Sequence, residues 1–178
     1  MENRIGFGMR LGAFLIDCVL VGVVAGVAGS TIGGMMGVAA GASLADSTSA
    51  TNSMAMGGMF GAVIGMLVGI FVIGTVYFLI EGLTGWTFGK LMLGIQVGNQ
   101  DGTKAGLGQL LGRYALKNCN AILSVLAIAT GIHLLRTIGS LGGLAIFIGC
   151  FFVLAGSRQA FHDMIAKTAV YKRSQLTA

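Results

Sequence analysis

From Leu11 to Ile80 the chain carries only two charged residues, Asp17 and Asp46. A stretch so long and so apolar suits a lipid bilayer, which about 20 apolar residues cross as one helix. A second apolar stretch, 118–156, is interrupted only by His133 and Arg136. With 55% hydrophobic and 10% charged residues and no proline among 178, the composition excludes an ordinary soluble domain. The expected fold class is therefore an all-α membrane protein, a single domain over 1–178. Spans are expected at about 11–33, 57–80, 119–135 and 139–156, a bundle of about four transmembrane helices.

Arg4 and Arg10 ahead of the first apolar run are also how a secretory signal begins, and "AAGAS" (39–43) offers small residues for cleavage. Asp17 inside the run, and the length of the run, argue for a retained span. The basic residues set the orientation. Segments 1–10, 81–118 and 157–178 hold Arg4, Arg10, Lys90, Lys104, Arg113, Lys117, Arg158, Lys167, Lys172 and Arg173, whereas the opposite side holds only Arg136. Both termini and segment 81–118 are accordingly expected in the cytoplasm. The net charge of +5 is explained by an inner face meeting anionic membrane lipid, without a nucleic-acid partner. Cys18, Cys119 and Cys150 are odd in number, far apart and set in apolar segments, so they read as small packing residues rather than a disulfide or zinc framework.

Glycine recurs every four residues on both sides of the polar connection "LADSTSATNS" (44–53): Gly22 and Gly26, then Gly29, Gly33, Gly37 and Gly41, and afterwards Gly57, Gly61, Gly65 and Gly69. Residues four apart share a helix face, so each set forms a glycine-zipper groove into which another backbone can fit. Spans one and two are expected to pack closely, or to pack against a second copy. Three methionines in "MAMGGM" (54–59) are of the type that binds Cu(I), but methionine is equally an apolar filler, and no cofactor is expected.

Between the second and third spans, "KLMLGIQV" (90–97) alternates with the period of a short strand, and "NQDG" (99–102) is turn chemistry. Leu107, Leu110, Leu111 and Tyr114 then share one face of an amphipathic helix, with Gln109, Arg113 and Lys117 on another. The tail "TAVYKR" (168–173) is strand-like and pairs, on this reading, with 93–97 in a small two-stranded cytoplasmic β element.

The charged residues within this frame are the candidate site. Arg10 and Asp17 stand two helical turns apart, about 10 Å along the axis. An arginine there reaches the headgroups; an aspartate is too short to follow, so Asp17 must face protein and take a cation, a hydrated cavity or a proton. Its expected partners come from the cytoplasmic ends: Lys90, Arg113, Arg158 and His162. In "SRQAFHDMIAKTAV" (157–170), a continuous helix would put Asp163 four residues from Lys167 and Arg158 four from His162. Asp17, Asp163 and His162 are thus ion- or proton-binding candidates, with Arg10, Lys90, Arg113 and Arg158 as charge partners or gating residues. There is no nucleophile elbow, zinc spacing or phosphate loop, so an enzyme is not expected.

Arg10 opening the first span, Asp17 inside it and Asp163 after His162 together make a pattern that resembles the RDD family of bacterial multi-pass membrane proteins. The block "TGWTFGKLMLGIQVGNQDG" (84–102) is similar too, with Gly89, Lys90 and Gly94 in matching places and Arg113 of "GRYALK" where a further arginine is usual. Phe88 departs from the pattern, which commonly has proline there. The resemblance implies residence in the bacterial inner membrane and a suggested role in ligand transport, some members being linked to sodium/proton antiport. Two functions stay open. One is a small transporter, expected to be a homo-oligomer, that moves a small ion or solute, with Asp17 carrying a proton or cation. The other is a non-transporting scaffold or accessory subunit whose Arg/Asp cluster is structural.

Overall fold

A computed structural model describes residues 4–44 and 49–176. The expected loop residues Ala45, Asp46, Ser47 and Thr48 lie outside the described residues. Helix α1 runs Phe7–Leu44 and α2 runs Ala50–Thr84; then come α3 (Phe88–Met92), β1 (Ile95–Asn99), α4 (Leu107–Lys117), α5 (Cys119–Thr130) and α6 (His133–Gly149). A 3-10 turn over Cys150–Leu154 extends α6, and α7 (Phe161–Ile165) and β2 (Thr168–Lys172) follow. Contacts divide the chain into two compact units, Ile16–Phe78 on the one hand and Met1–Leu15 with Leu79–Ala178 on the other.

The first unit is a helical hairpin of α1 and α2, and both helices outrun the expected spans. The seam explains why their glycines remain helical. A Cβ built on Gly29 would lie 2.2 Å from the Gly65 carbonyl oxygen, one on Gly33 2.2 Å from that of Gly61, and one on Gly37 2.0 Å from that of Gly57. Gly41 meets Ser53 and Gly69 meets Ala25 in the same way. The close packing expected from the four-residue repeat is present from Gly29 to Gly41, at distances where no side chain fits, but Gly22 and Gly26 of the expected set lie off it, a Cβ on Gly22 meeting nothing within 4 Å. Each contact is one four-residue step from the next, and the same steps lead to Val21 and then to Asp17 on α1, and to Ile73 and then to Tyr77 on α2. The stripe thus grows from glycine through Ala25 and Val21 to an acid and a phenol. The outward faces stay apolar and exposed, as at Val19, Val23, Val27, Phe60 and Phe71.

Among the described residues three helical segments are long and apolar enough to cross a membrane: Phe7–Leu44, Ala50–Thr84 and His133–Leu154. The expected third span at 119–135 is instead a 12-residue helix, α5, about 18 Å long. Gly131 takes the left-handed conformation (φ 73°) and ends it, and α6 begins at His133. The turn therefore falls at 131–132 rather than after Leu135. α5 packs back on α6, where Gly139 and Gly143 lie against Asn120.

The rest of the second unit surrounds a small core of Ile5, Ala13, Ile95, Val97, Leu110 and Val170. β1 and β2 pair antiparallel, Ile95 opposite Lys172 through Asn99 opposite Thr168. A pairing of these two segments is present, but it begins at Ile95 rather than at residue 93 and runs on to Asn99, and the expected strand residues 90–92 belong to helix α3. Thr87 caps α3, accepting from the Lys90 N–H at 3.4 Å, and Gly94 (φ 65°) turns the chain into the strand. Phe88 occupies the first helical position, the place a proline tolerates best, so its departure from the family pattern leaves the turn intact.

Candidate functional site

The ends of five helices bring their charged side chains into one cluster inside the second unit. Asp163 is its most enclosed member, with no exposed surface. As the third residue of α7 it reaches back to the Ala160 N–H, which donates at 3.4 Å, an N-terminal cap. Its other contacts are cationic: Arg113 Nε donates to Oδ1 at 2.6 Å, and Arg10 on α1 donates to Oδ2. Arg10 also donates to the backbone carbonyls of Ile5 and Arg158. Arg113 uses its fork to bridge two acids, its Nη1 donating to Glu81 Oε1 at 2.6 Å. Lys90 Nζ lies 2.7 Å from that same oxygen, and Lys117 Nζ donates to Glu81 Oε2 at 3.1 Å.

The electrostatics follow from burial and these partners. Burial alone would raise the Asp163 carboxyl, but the Arg113 and Arg10 guanidiniums hold it well below the usual carboxylate range. For Arg113, burial is outweighed by Asp163 and Glu81, which hold the guanidinium above its ordinary value. Burial pushes the Lys90 ammonium down to about 7 against the attraction of Glu81. The His162 imidazolium is pushed down to about 3 by burial, only partly opposed by Asp163, so the ring is neutral. Its Nε2 lies 3.3 Å from Asp163 Oδ1, and its Nδ1 is buried without a hydrogen-bond partner among the described residues.

Asp17 is a separate place, in the hairpin. It is 2% exposed and accepts from the Tyr77 hydroxyl at 2.6 Å. The sequence-derived candidates thus divide: Arg10, Lys90, Arg113, His162 and Asp163 are gathered in the cluster, while Asp17 pairs across the glycine seam. Arg158 is exposed and contributes backbone, its carbonyl accepting from Arg10 while its own guanidinium donates to the Arg4 carbonyl at 3.0 Å. The helical pairs expected within 157–170 do not form, because Arg158 (φ 49°) precedes α7 and Lys167 (φ 54°) follows it. Arg113, placed by periodicity on the polar face of α4, points inward, while Leu107 and Leu111 of the expected apolar face are exposed. His133 is exposed at the start of α6.

Sequence reasoning missed Glu81 and Tyr77. Glu81 stands one residue beyond the charge-free run that ends at Ile80, and its carboxylate is shared by three cations, Lys90, Arg113 and Lys117. That lone acid at the end of an apolar helix was the available signal. Tyr77 is found only by extending the four-residue step past the last glycine.

Long apolar helices, with a knot of buried ion pairs joining their ends to short amphipathic elements, define an integral membrane protein of the α-helical class. Within that class the chain belongs to the RDD family, whose model matches residues 4–167. Curated proteins and solved structures gave no match.

Proposed function

We propose that the protein is a small multi-pass transporter of the bacterial inner membrane that exchanges a small cation for protons, with Asp17 carrying the proton or cation. The observation behind this is the Asp17–Tyr77 pair: a carboxylate 2% exposed in an apolar helix whose other charged residue, Arg10, is engaged by Asp163, bonded to a hydroxyl that is itself able to donate or accept. Intramembrane carboxylates are costly and are the usual parts of proton relays. On this reading Arg10 and Arg113 are gating residues, and both termini lie in the cytoplasm, where the basic residues meet anionic lipid. The apolar faces exposed on α1 and α2 suit lipid or a second copy, consistent with a homo-oligomer.

The alternative is a non-transporting scaffold or accessory subunit. It is favoured by the saturation of Asp163, whose contacts with Arg10, Arg113, His162 and Ala160 leave the acid no exposed surface for a ligand. Proton flux in proteoliposomes under imposed Na⁺, Li⁺ and K⁺ gradients separates the two. Transport predicts flux in the wild type that is lost in a folded Asp17→Asn variant; no flux in either protein rejects exchange of these cations.

A further inference from the structure

The cluster in the second unit is unbalanced. Four basic side chains, Arg10, Lys90, Arg113 and Lys117, face two carboxylates, Glu81 and Asp163, with His162 neutral. Excess positive charge in a buried place is costly and is relieved by an anion or by loss of a proton. Arginine does not give up its proton in proteins, whereas a buried lysine does so readily. Of the two lysines, Lys117 reaches solvent with 35% of its side chain exposed, while Lys90 has 10%.

The groups facing Lys90 are Glu81 from α2 and Arg113 and Lys117 from α4; behind Arg113 stand Arg10 from α1 and Asp163 and His162 from α7. A cavity of about 10 Å³, lined by Glu81, Gly82, Leu110, Arg113, Tyr114 and Lys117, adjoins the shared carboxylate. That is room for about one water.

We propose that the Lys90 amine is a reversible proton-binding site, because it must share one oxygen of Glu81 with Arg113 in a corner that holds more basic groups than carboxylates. The proton leaves Nζ for solvent water, giving a neutral amine and a hydronium ion; rebinding reverses the step. Burial has already brought the ammonium down to about 7. Lys90 therefore gives up its proton far more readily than an ordinary lysine, and its loss of charge strengthens the hold of Arg113 and Lys117 on Glu81. This site is distinct from Asp17 and does not depend on whether the chain transports anything.

The test is to label lysine Cε with ¹³C in the full chain in lipid nanodiscs and follow the shifts with pH. One lysine is expected to titrate near 7, and that transition is expected to be missing from Lys90→Arg. A wild type in which every lysine titrates near the ordinary value, or a transition that survives in Lys90→Arg, overturns the proposal. Lys90→Met provides an independent readout. Between about 7 and 10.5 the unfolded chain keeps the Lys90 proton that the folded chain has released, so wild-type stability rises with pH across that window. Lys90→Met should fold and lack that rise; a variant that keeps it overturns the proposal.

Discussion

In the hairpin Ile16–Phe78, glycine meets glycine at three successive steps and backbone touches backbone; in the rest of the chain, Arg113 spans two carboxylates and no such seam exists among the described residues. One unit is held by the absence of side chains and the other by the most demanding side chains. Lipid offers helices no hydrophobic gain from association, so close packing has to supply the attraction, and only glycine permits it along a seam this long. Where helices end, charge-assisted hydrogen bonds fix several short elements at once, provided each acid is fully supplied. Asp17 and Tyr77 are the point where the first unit borrows the second's chemistry.

The contrast predicts different responses to substitution. The largest effect is expected for Arg113→Ala, which takes one cationic partner from Glu81 and Asp163 at once and unlinks them; breaking a buried pair from one side costs about 3–5 kcal/mol. Thermal unfolding in nanodiscs measures it, and Arg113→Lys should fail to restore it because an ammonium cannot bridge both acids as a guanidinium does. Next comes Gly61→Ala, whose Cβ would meet the Gly33 carbonyl oxygen at 2.2 Å. The helices must separate, at a cost of about 1–3 kcal/mol or more. Gly37→Cys and Gly57→Cys serve as a second check: neither should be accommodated without loss of helix pairing.

A pH-dependent effect is expected in the second unit. His162 is neutral in the fold with its ionisation pushed to about 3, whereas the unfolded ring takes a proton near 6.5. The unfolded state therefore binds more protons in that window, and stability falls as pH drops from about 6.5 toward 3. Asp163, held below the usual range, adds a further loss below its ordinary value of 3.8. His162→Asn should flatten the upper part of this profile. The smallest effect is expected at Gly22, where a Cβ would meet nothing within 4 Å. Gly22→Ala should be neutral or stabilise by about 0.5–1 kcal/mol through helix propensity; a loss as large as that of Gly61→Ala would show that the seam is not what makes glycine necessary.

Much of the fold was legible in the sequence because bilayer length and four-residue glycine spacing are strong, local signals. The seam from Gly29 to Gly69, helix α4 and the pairing of β1 with β2 all follow from periodicity. What periodicity could not give was direction. Arg113 falls on the polar face of α4, yet its side chain turns inward because Glu81 and Asp163 wait there, a fact that depends on residues far away in the chain. Glu81 escaped notice because it adjoins the uncharged run instead of interrupting it. The helical reading of 157–170 failed for a local reason, the left-handed residues Arg158 and Lys167 on either side of a five-residue helix. The Asp17–Tyr77 pair was hidden by distance, 60 residues apart, although the glycine register points to it.

The most direct measurement compares Asp17→Asn with Asp163→Asn in the same proteoliposomes, recording proton flux and thermal stability together. The expected result is that Asp17→Asn, which can still accept from Tyr77, stays folded and loses flux, while Asp163→Asn loses stability. A folded Asp17→Asn protein with wild-type flux, or a stable Asp163→Asn protein, would contradict the division of labour between seam and cluster.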